Sequence, residues 1–309
     1  LSITVGEEVI GGVIPTTYMG SQGMFVALIL CYLVAKVYCK ILSSKLKIKL
    51  PDSVPPMVSS SFESLIPVII TLVLVCSINY CFTLTSFGNI HALVNEIIQK
   101  PLLLIGTGLP ALLISQGLAQ LLWFFGLHGD QIVGSVMDPI LQTAGMENLS
   151  AYTAGDAVPY IITDQFRALF VMIAFMSLVI AILIVSKSNR LKGVGKVAVL
   201  PATFCISEPV VFGAPVVMNA MLFIPWVLSR PVFGLITWLF MKFGLCPYPT
   251  GVAIPWTTPP VLSGFLATNS IMGAVVQIIC LAIGVLMFIP FVKMIDKTYH
   301  QEEIKTKEQ

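Results

Sequence analysis

Charge is scarce in this chain. Asp, Glu, Lys and Arg fill 10% of its 309 positions, while 57% are hydrophobic and the mean hydropathy is +0.94; soluble domains carry roughly a quarter charged residues. A soluble fold could not solvate such a surface. Sequence motifs for several chemistries are missing too. There is no G-x-x-x-x-G-K-[ST] loop, no H-E-x-x-H helix and no G-x-S-x-G elbow, so nucleotide-driven transport and membrane hydrolysis have no motif support. Cys31, Cys39, Cys76, Cys81, Cys205, Cys246 and Cys280 form no C-x2-C pair or other metal-ligand spacing and sit mostly in apolar runs, where they read as buried thiols. Neither a metal nor a cofactor is expected. A charged n-region followed by a short apolar core and a cleavage site is also missing, so no signal peptide is read at the first residue, Leu1.

The charge that is present is segregated. Lys36, Lys40, Lys45, Lys47 and Lys49 form one block without acids, and Lys187, Arg190, Lys192 and Lys196 form another. Separated basic blocks between apolar runs fit cytoplasmic loops rather than a nucleic-acid surface. The runs Val9 to Ala35, Ser64 to Asn95, Pro101 to Gly129, Ala168 to Ser186, Pro209 to Ser229 and Phe243 to Val292 contain no charged residue. A spanning helix needs about 20 mostly apolar residues. The clearest spans are Gly23 to Tyr38, Leu65 to Leu84, Leu102 to Leu122, Phe166 to Val185 and Ile271 to Val292. Met221 to Phe240 is weaker because Arg230 and Pro231 interrupt it. Lys45 to Leu50 alternates Lys with Leu or Ile, the period of a short two-faced strand, before Pro51, Pro55 and Pro56 block a helix.

Parity exposes an irregularity. With both basic blocks inside, Leu102 to Leu122 and Phe166 to Val185 both run inward, which requires the chain between them to recross. That stretch, Asp130 to Gln165, has five acids and no base, and is expected to thread through protein or a wet cavity. Two further segments are broken by proline and glycine: Val197 to Asn219 around Glu208, and Pro247 to Gly264. Paired broken segments at membrane depth point to a substrate site.

His128 and Glu208 are the candidate chemical groups. His128 ends a long uncharged run, where an imidazole either handles a hydroxyl proton or faces water as a helix end. Glu208 is the only acid between Asp164 and Asp296. Its carboxylate must be paired, protonated or bathed in a polar cavity, and a salt bridge to Arg230 or Lys192 is the bland alternative. Trp256 offers an indole face for a pyranose or anchors the chain at the interface; Trp123 is a second possible platform.

Four strings in order resemble the lactose/cellobiose class of phosphotransferase-system (PTS) enzyme IIC. They are Pro51-Asp-Ser-Val-Pro-Pro56 with Phe62 to Pro67, Trp123-Phe-Phe-Gly-Leu-His-Gly129, Ser207-Glu-Pro-Val-Val-Phe-Gly-Ala-Pro215 with Asn219, and Pro255-Trp-Thr-Thr-Pro-Pro260 with Gly264. The resemblance implies an all-α polytopic bundle of the bacterial cytoplasmic membrane, whose re-entrant broken hairpins enclose a buried sugar site. A β-linked disaccharide of the cellobiose, lactose or chitobiose class would cross and be phosphorylated on its 6-hydroxyl by the phosphocysteine of a separate IIB protein, with IIA upstream. Carried over by motif, His128 and Glu208 lie near that hydroxyl, Trp123 and Trp256 are sugar platforms, and Asn219 is a substrate-binding position. Ser207 stands where the family usually has Asn.

Family members begin with further helices, so residues 1–62 read as the remainder of an N-terminal dimerisation part plus a cytoplasmic connector. Residues 63–292 read as the transport domain and 293–309 as a cytoplasmic tail; a homodimer is implied for a full-length chain. Two other readings stay open: an ion-coupled sugar transporter in which Glu208 and His128 carry a proton, and a truncated remnant that does not transport.

Overall fold

A computed structural model describes residues 2–5, 8–11, 21–44, 46, 48–51, 54–214 and 216–307. Residues 12–20 of the run Val9 to Ala35, together with Leu1, Gly6, Glu7, Lys45, Lys47, Asp52, Ser53, Pro215 and the last two residues, lie outside them. Among the described residues the regular structure is helical apart from a short antiparallel hairpin, β1 (Ser2–Val5) with β2 (Glu8–Gly11), registered Ser2 to Gly11. Leu46 and Ile48 to Leu50 adopt no strand.

Two compact units divide between Leu102 and Leu103, so the boundaries expected at 62 and 292 both fall inside helices. The first unit holds α1 (Ser21–Leu42), α2 (Pro56–Thr83) and α3 (Ile90–Val94), which runs through a π-helical turn at Asn95–Gln99 into the start of α4 (Lys100–Gly106). Both long helices are apolar around most of their circumference and leave Leu28, Tyr32, Val73 and Tyr80 exposed, the signature of helices solvated by lipid. That corrects the expectation for the cysteines. Cys246 and Cys280 are buried and Cys205 half-buried, but Cys31, Cys39, Cys76 and Cys81 lie on these outer faces.

The second unit begins with α5 (Leu109–Phe124) and α6 (Gly129–Ala154). A π-helical turn at Phe166–Val171 and a short 3-10 turn lead into α7 (Phe175–Val185). Then come α8 (Asn189–Thr203), α9 (Glu208–Gly213), α10 (Ala220–Lys242), α11 (Leu262–Thr268) and α12 (Ile271–Lys307). Among the described residues, Phe25–Leu42, Pro56–Thr83, Phe166–Val185, Ala220–Lys242 and Ile271–Lys305 are long and apolar enough to cross a membrane; Ile90 to Phe124, broken after Gly106, makes a sixth if counted as one span. The protein is an integral membrane protein.

Two expectations change. Leu102 to Leu122 is interrupted at Thr107 and Gly108, because Pro110 lacks the N–H that would bond the Gly106 carbonyl. Met221 to Phe240, by contrast, is unbroken despite Pro225 and Pro231, and its Arg230 is neutralised within the protein. The acidic stretch as far as Ala154 forms α6, whose 26 residues extend about 39 Å at 1.5 Å per residue, enough to carry the chain back across.

The core forms two clusters, one around Phe175, Leu178, Val211, Trp226 and Phe288, the other around Phe166, Phe170, Phe233 and Cys280. Irregular backbone is held by buried amides. Asn148 on α6 donates to the carbonyls of Tyr160 and Pro249, each at 2.8 Å, and accepts from Tyr160 N–H at 2.9 Å. Gln277 on α12 accepts from Gly264 N–H at 3.0 Å and donates to the Leu169 carbonyl at 2.7 Å. Breaks that leave backbone groups without helical partners are thereby satisfied inside protein. Gly251 has φ +81°, and a Cβ there would overlap the backbone of α6 at Gly145.

The segment expected as a cytoplasmic tail begins inside α12. That helix continues to Lys307, where Asp296 accepts from the Lys187 and Ser188 N–H groups and Glu303 from those of Asn189 and Arg190. Two carboxylates thus cap the N-terminus of α8, the helix that leads to Glu208.

Candidate functional site

A cavity of about 380 Å³ opens within the second unit, inside the roughly 300–1,000 Å³ range of small-molecule sites. His128, Glu208, Trp123 and Trp256 all line it. Asn219 does not. It is the N-cap of α10, its side-chain oxygen accepting from Met221 N–H at 3.1 Å.

The string Trp123 to Gly129 forms the tight turn between α5 and α6. Gly126 sits at φ +79°, and a Cβ on Gly129 would collide with the Ala119 backbone, so only glycine lets α6 start this close to α5. His128 is the N-cap of α6, and its Nδ1 accepts from Gln131 N–H at 3.3 Å. Its ring lies 4.4 Å from that of Trp123, centroid to centroid. Trp123 is 3% exposed and Trp256 58%, so the two indoles differ: Trp256 has a free surface, whereas Trp123 is packed into the wall.

Glu208 is the first residue of α9, after a turn in which Cys205 takes φ +62°. A non-glycine residue in this region is uncommon. The Cys205 thiol contacts the Thr258 carbonyl at 3.6 Å, joining the Glu208 turn to the stretch bearing Trp256. Ser207 makes no side-chain capping bond to α9. Glu208 is exposed to the cavity, and among the described residues no ion pair includes it.

The salt bridge suggested for Glu208 is made by another residue. Arg230 pairs with Asp130, its Nη1 at 2.5 Å and Nη2 at 3.0 Å from the two carboxylate oxygens, and Trp123 Nε1–H donates to the same carboxylate at 2.9 Å. A second pair, Arg167 with Asp138, lines the same cavity. The sequence reading considered Arg230 only as a partner for Glu208 and gave no role to Asp130, Asp138 or Arg167. The available signal was an acidic stretch without bases, facing two arginines inside apolar runs.

The family model for the phosphotransferase system EIIC matches residues 2–229. The chain belongs to the PTS EIIC family. It is 44% identical to the oligo-beta-mannoside-specific EIIC component of the PTS of Bacillus subtilis (strain 168), over 94% of this chain and 67% of that one. Identity to the lichenan permease IIC component of the same organism is 40%, over 96% and 67% of the two chains. The crystal structure of the transporter ChbC, the IIC component of the N,N'-diacetylchitobiose-specific system, superposes with a TM-score of 0.92 at 36% identity, covering 98% of this chain and 72% of that one. This PTS EIIC chain is therefore the membrane permease component of a sugar phosphotransferase system, and its helical architecture is that of the ChbC transporter.

Proposed function

We propose that the cavity binds a β-linked disaccharide and presents its 6-hydroxyl to the phosphocysteine of IIB, itself recharged by IIA. The observation that carries this reading is the Glu208 carboxylate, exposed in a cavity it shares with the His128 imidazole and, among the described residues, part of no ion pair. In the transfer, the hydroxyl oxygen forms a bond to phosphorus, the P–S bond of phosphocysteine breaks, and the hydroxyl proton passes to Glu208. Phosphoryl transfer depends mostly on positioning and charge, so a base and an open donor route suffice on this subunit. Trp256 supplies an apolar face for a pyranose ring, and His128 a further hydrogen-bonding group to the same hydroxyl. The relatives act on β-mannosides, lichenan and diacetylchitobiose by name, which supports a β-linked substrate. The partners extend to a second copy of the chain as a homodimer, a reading that rests on the family resemblance.

Product identity tests this. Vesicles containing the protein, supplied with radiolabelled cellobiose and phospho-IIB inside, should accumulate the sugar only as its phosphate. Accumulation of free sugar, driven by a proton gradient without phospho-IIB, would replace this reading with ion-coupled transport.

A further inference from the structure

Four side chains in the cavity wall, Arg230, Asp130, Trp123 and His128, are linked in series. Arg230 on α10 is 2% exposed and is held by both oxygens of Asp130 in the first turn of α6. Asp130 also accepts from Trp123 Nε1–H, and the Trp123 ring lies against the ring of His128. Trp123 is 3% exposed, too enclosed to offer a face to a sugar while its edge is tied to Asp130. The ring beside it, His128, is exposed and lines the same cavity.

We propose that Asp130 and Arg230 are positioning residues for His128, acting through Trp123, and that Trp123 is a support for the imidazole rather than a sugar platform. The physical case has three parts. A carboxylate bidentate to a buried guanidinium has almost no rotational freedom, because charge-assisted paired hydrogen bonds fix both planes. The indole N–H reads that fixed carboxylate and so sets the tilt of the Trp123 ring. An indole locked in this way fixes one side of the imidazole by van der Waals contact, while the Gln131 N–H fixes Nδ1. What remains free is Nε2, the atom left to meet a sugar hydroxyl. A catalytic group held at both ends by other side chains meets its substrate without further loss of rotamer freedom.

The arrangement also explains why a charge pair is worth burying here. Replacing a buried ion pair with apolar groups is often neutral or stabilising, so stability alone does not account for Arg230 and Asp130. Alignment of the ring between them and the site does.

This inference rests on the proposed phosphorylation of sugar, and the test separates the two. The informative variant is Trp123→Phe, which keeps an aromatic ring beside His128 and leaves the Asp130–Arg230 pair intact, but removes the N–H that orients the ring. Phosphorylation of cellobiose by phospho-IIB and equilibrium cellobiose binding are measured for the full chain in vesicles. We expect the phosphorylation rate to fall about tenfold, within the range a mispositioned acid-base group costs, while binding changes less than about threefold. The decisive arm is a double-mutant cycle with His128→Ala. If Trp123 acts through His128, adding Trp123→Phe to His128→Ala lowers the rate by less than about twofold further. The charge-neutral pair Asp130→Asn with Arg230→Gln, which strands no buried charge, should behave the same way in that background.

Additive losses in the cycle, or a wild-type rate in Trp123→Phe, would overturn the relay. A sugar affinity that falls tenfold or more in Trp123→Phe would return this residue to direct sugar contact. Failure of the proposed function itself looks different, because wild-type protein would then form no sugar phosphate at all.

Discussion

The cavity is bordered by two kinds of carboxylate. Asp130 and Asp138, both on α6, each meet an arginine delivered by another element. Glu208, on the short α9, faces the same space, and no ion pair among the described residues includes it. A carboxylate locked to a guanidinium is a poor proton acceptor and a good fastener. One left open to a cavity has lone pairs to spend on a ligand. The pairing state of each acid thus separates the wall of the site from its chemistry, although all three lie within one pocket.

The largest effect should come from breaking the wall. Asp130→Ala leaves the Arg230 guanidinium, 2% exposed, without its counterion, and removing one partner of a buried pair costs about 3–5 kcal/mol. Thermal unfolding in detergent should show a marked loss of stability, and an unchanged midpoint would mean that water already solvates Arg230. A smaller effect is expected from Trp256→Ala. Removing an indole that is 58% exposed and would be covered by a bound sugar should weaken cellobiose binding by on the order of 1–3 kcal/mol, the scale of a large apolar contact. Unaltered binding would make Trp256 an interfacial anchor. The smallest effect is expected from Asn219→Ala, which removes the N-cap of α10 and should cost about 1 kcal/mol of stability. Cellobiose affinity should change by less than about threefold, because the side chain is spent on Met221 N–H; a larger loss would place it in the site.

Elements set by local pattern were readable in advance. Uncharged runs marked the spans, and clustered proline and glycine marked the broken stretches, because helix propensity and lipid solvation act along the sequence. His128, Glu208, Trp123 and Trp256 were singled out because their strings are distinctive, and all four line the cavity. The pairings were not readable. Asp130 and Arg230 stand 100 positions apart and Asp138 and Arg167 stand 29 apart, and nothing local to either residue specifies its partner. The same blindness explains the doubt about Met221 to Phe240. Arg230 looked like a defect in a span until Asp130 supplied its counterion. Likewise the break at Gly108 was missed because the run stays apolar through it, and only Pro110 gives it away.

The division between paired and unpaired carboxylates is tested most directly by Glu208→Gln. This change keeps the shape and a hydrogen-bonding group, removes the base, and strands no buried charge. With phospho-IIB as donor, the rate of cellobiose phosphorylation should fall about 100-fold or more, the scale of a lost general base, while equilibrium cellobiose binding stays measurable. A Glu208→Gln protein that phosphorylates sugar at the wild-type rate would show that the open carboxylate carries no chemistry, and the distinction drawn between the two kinds of acid would fail.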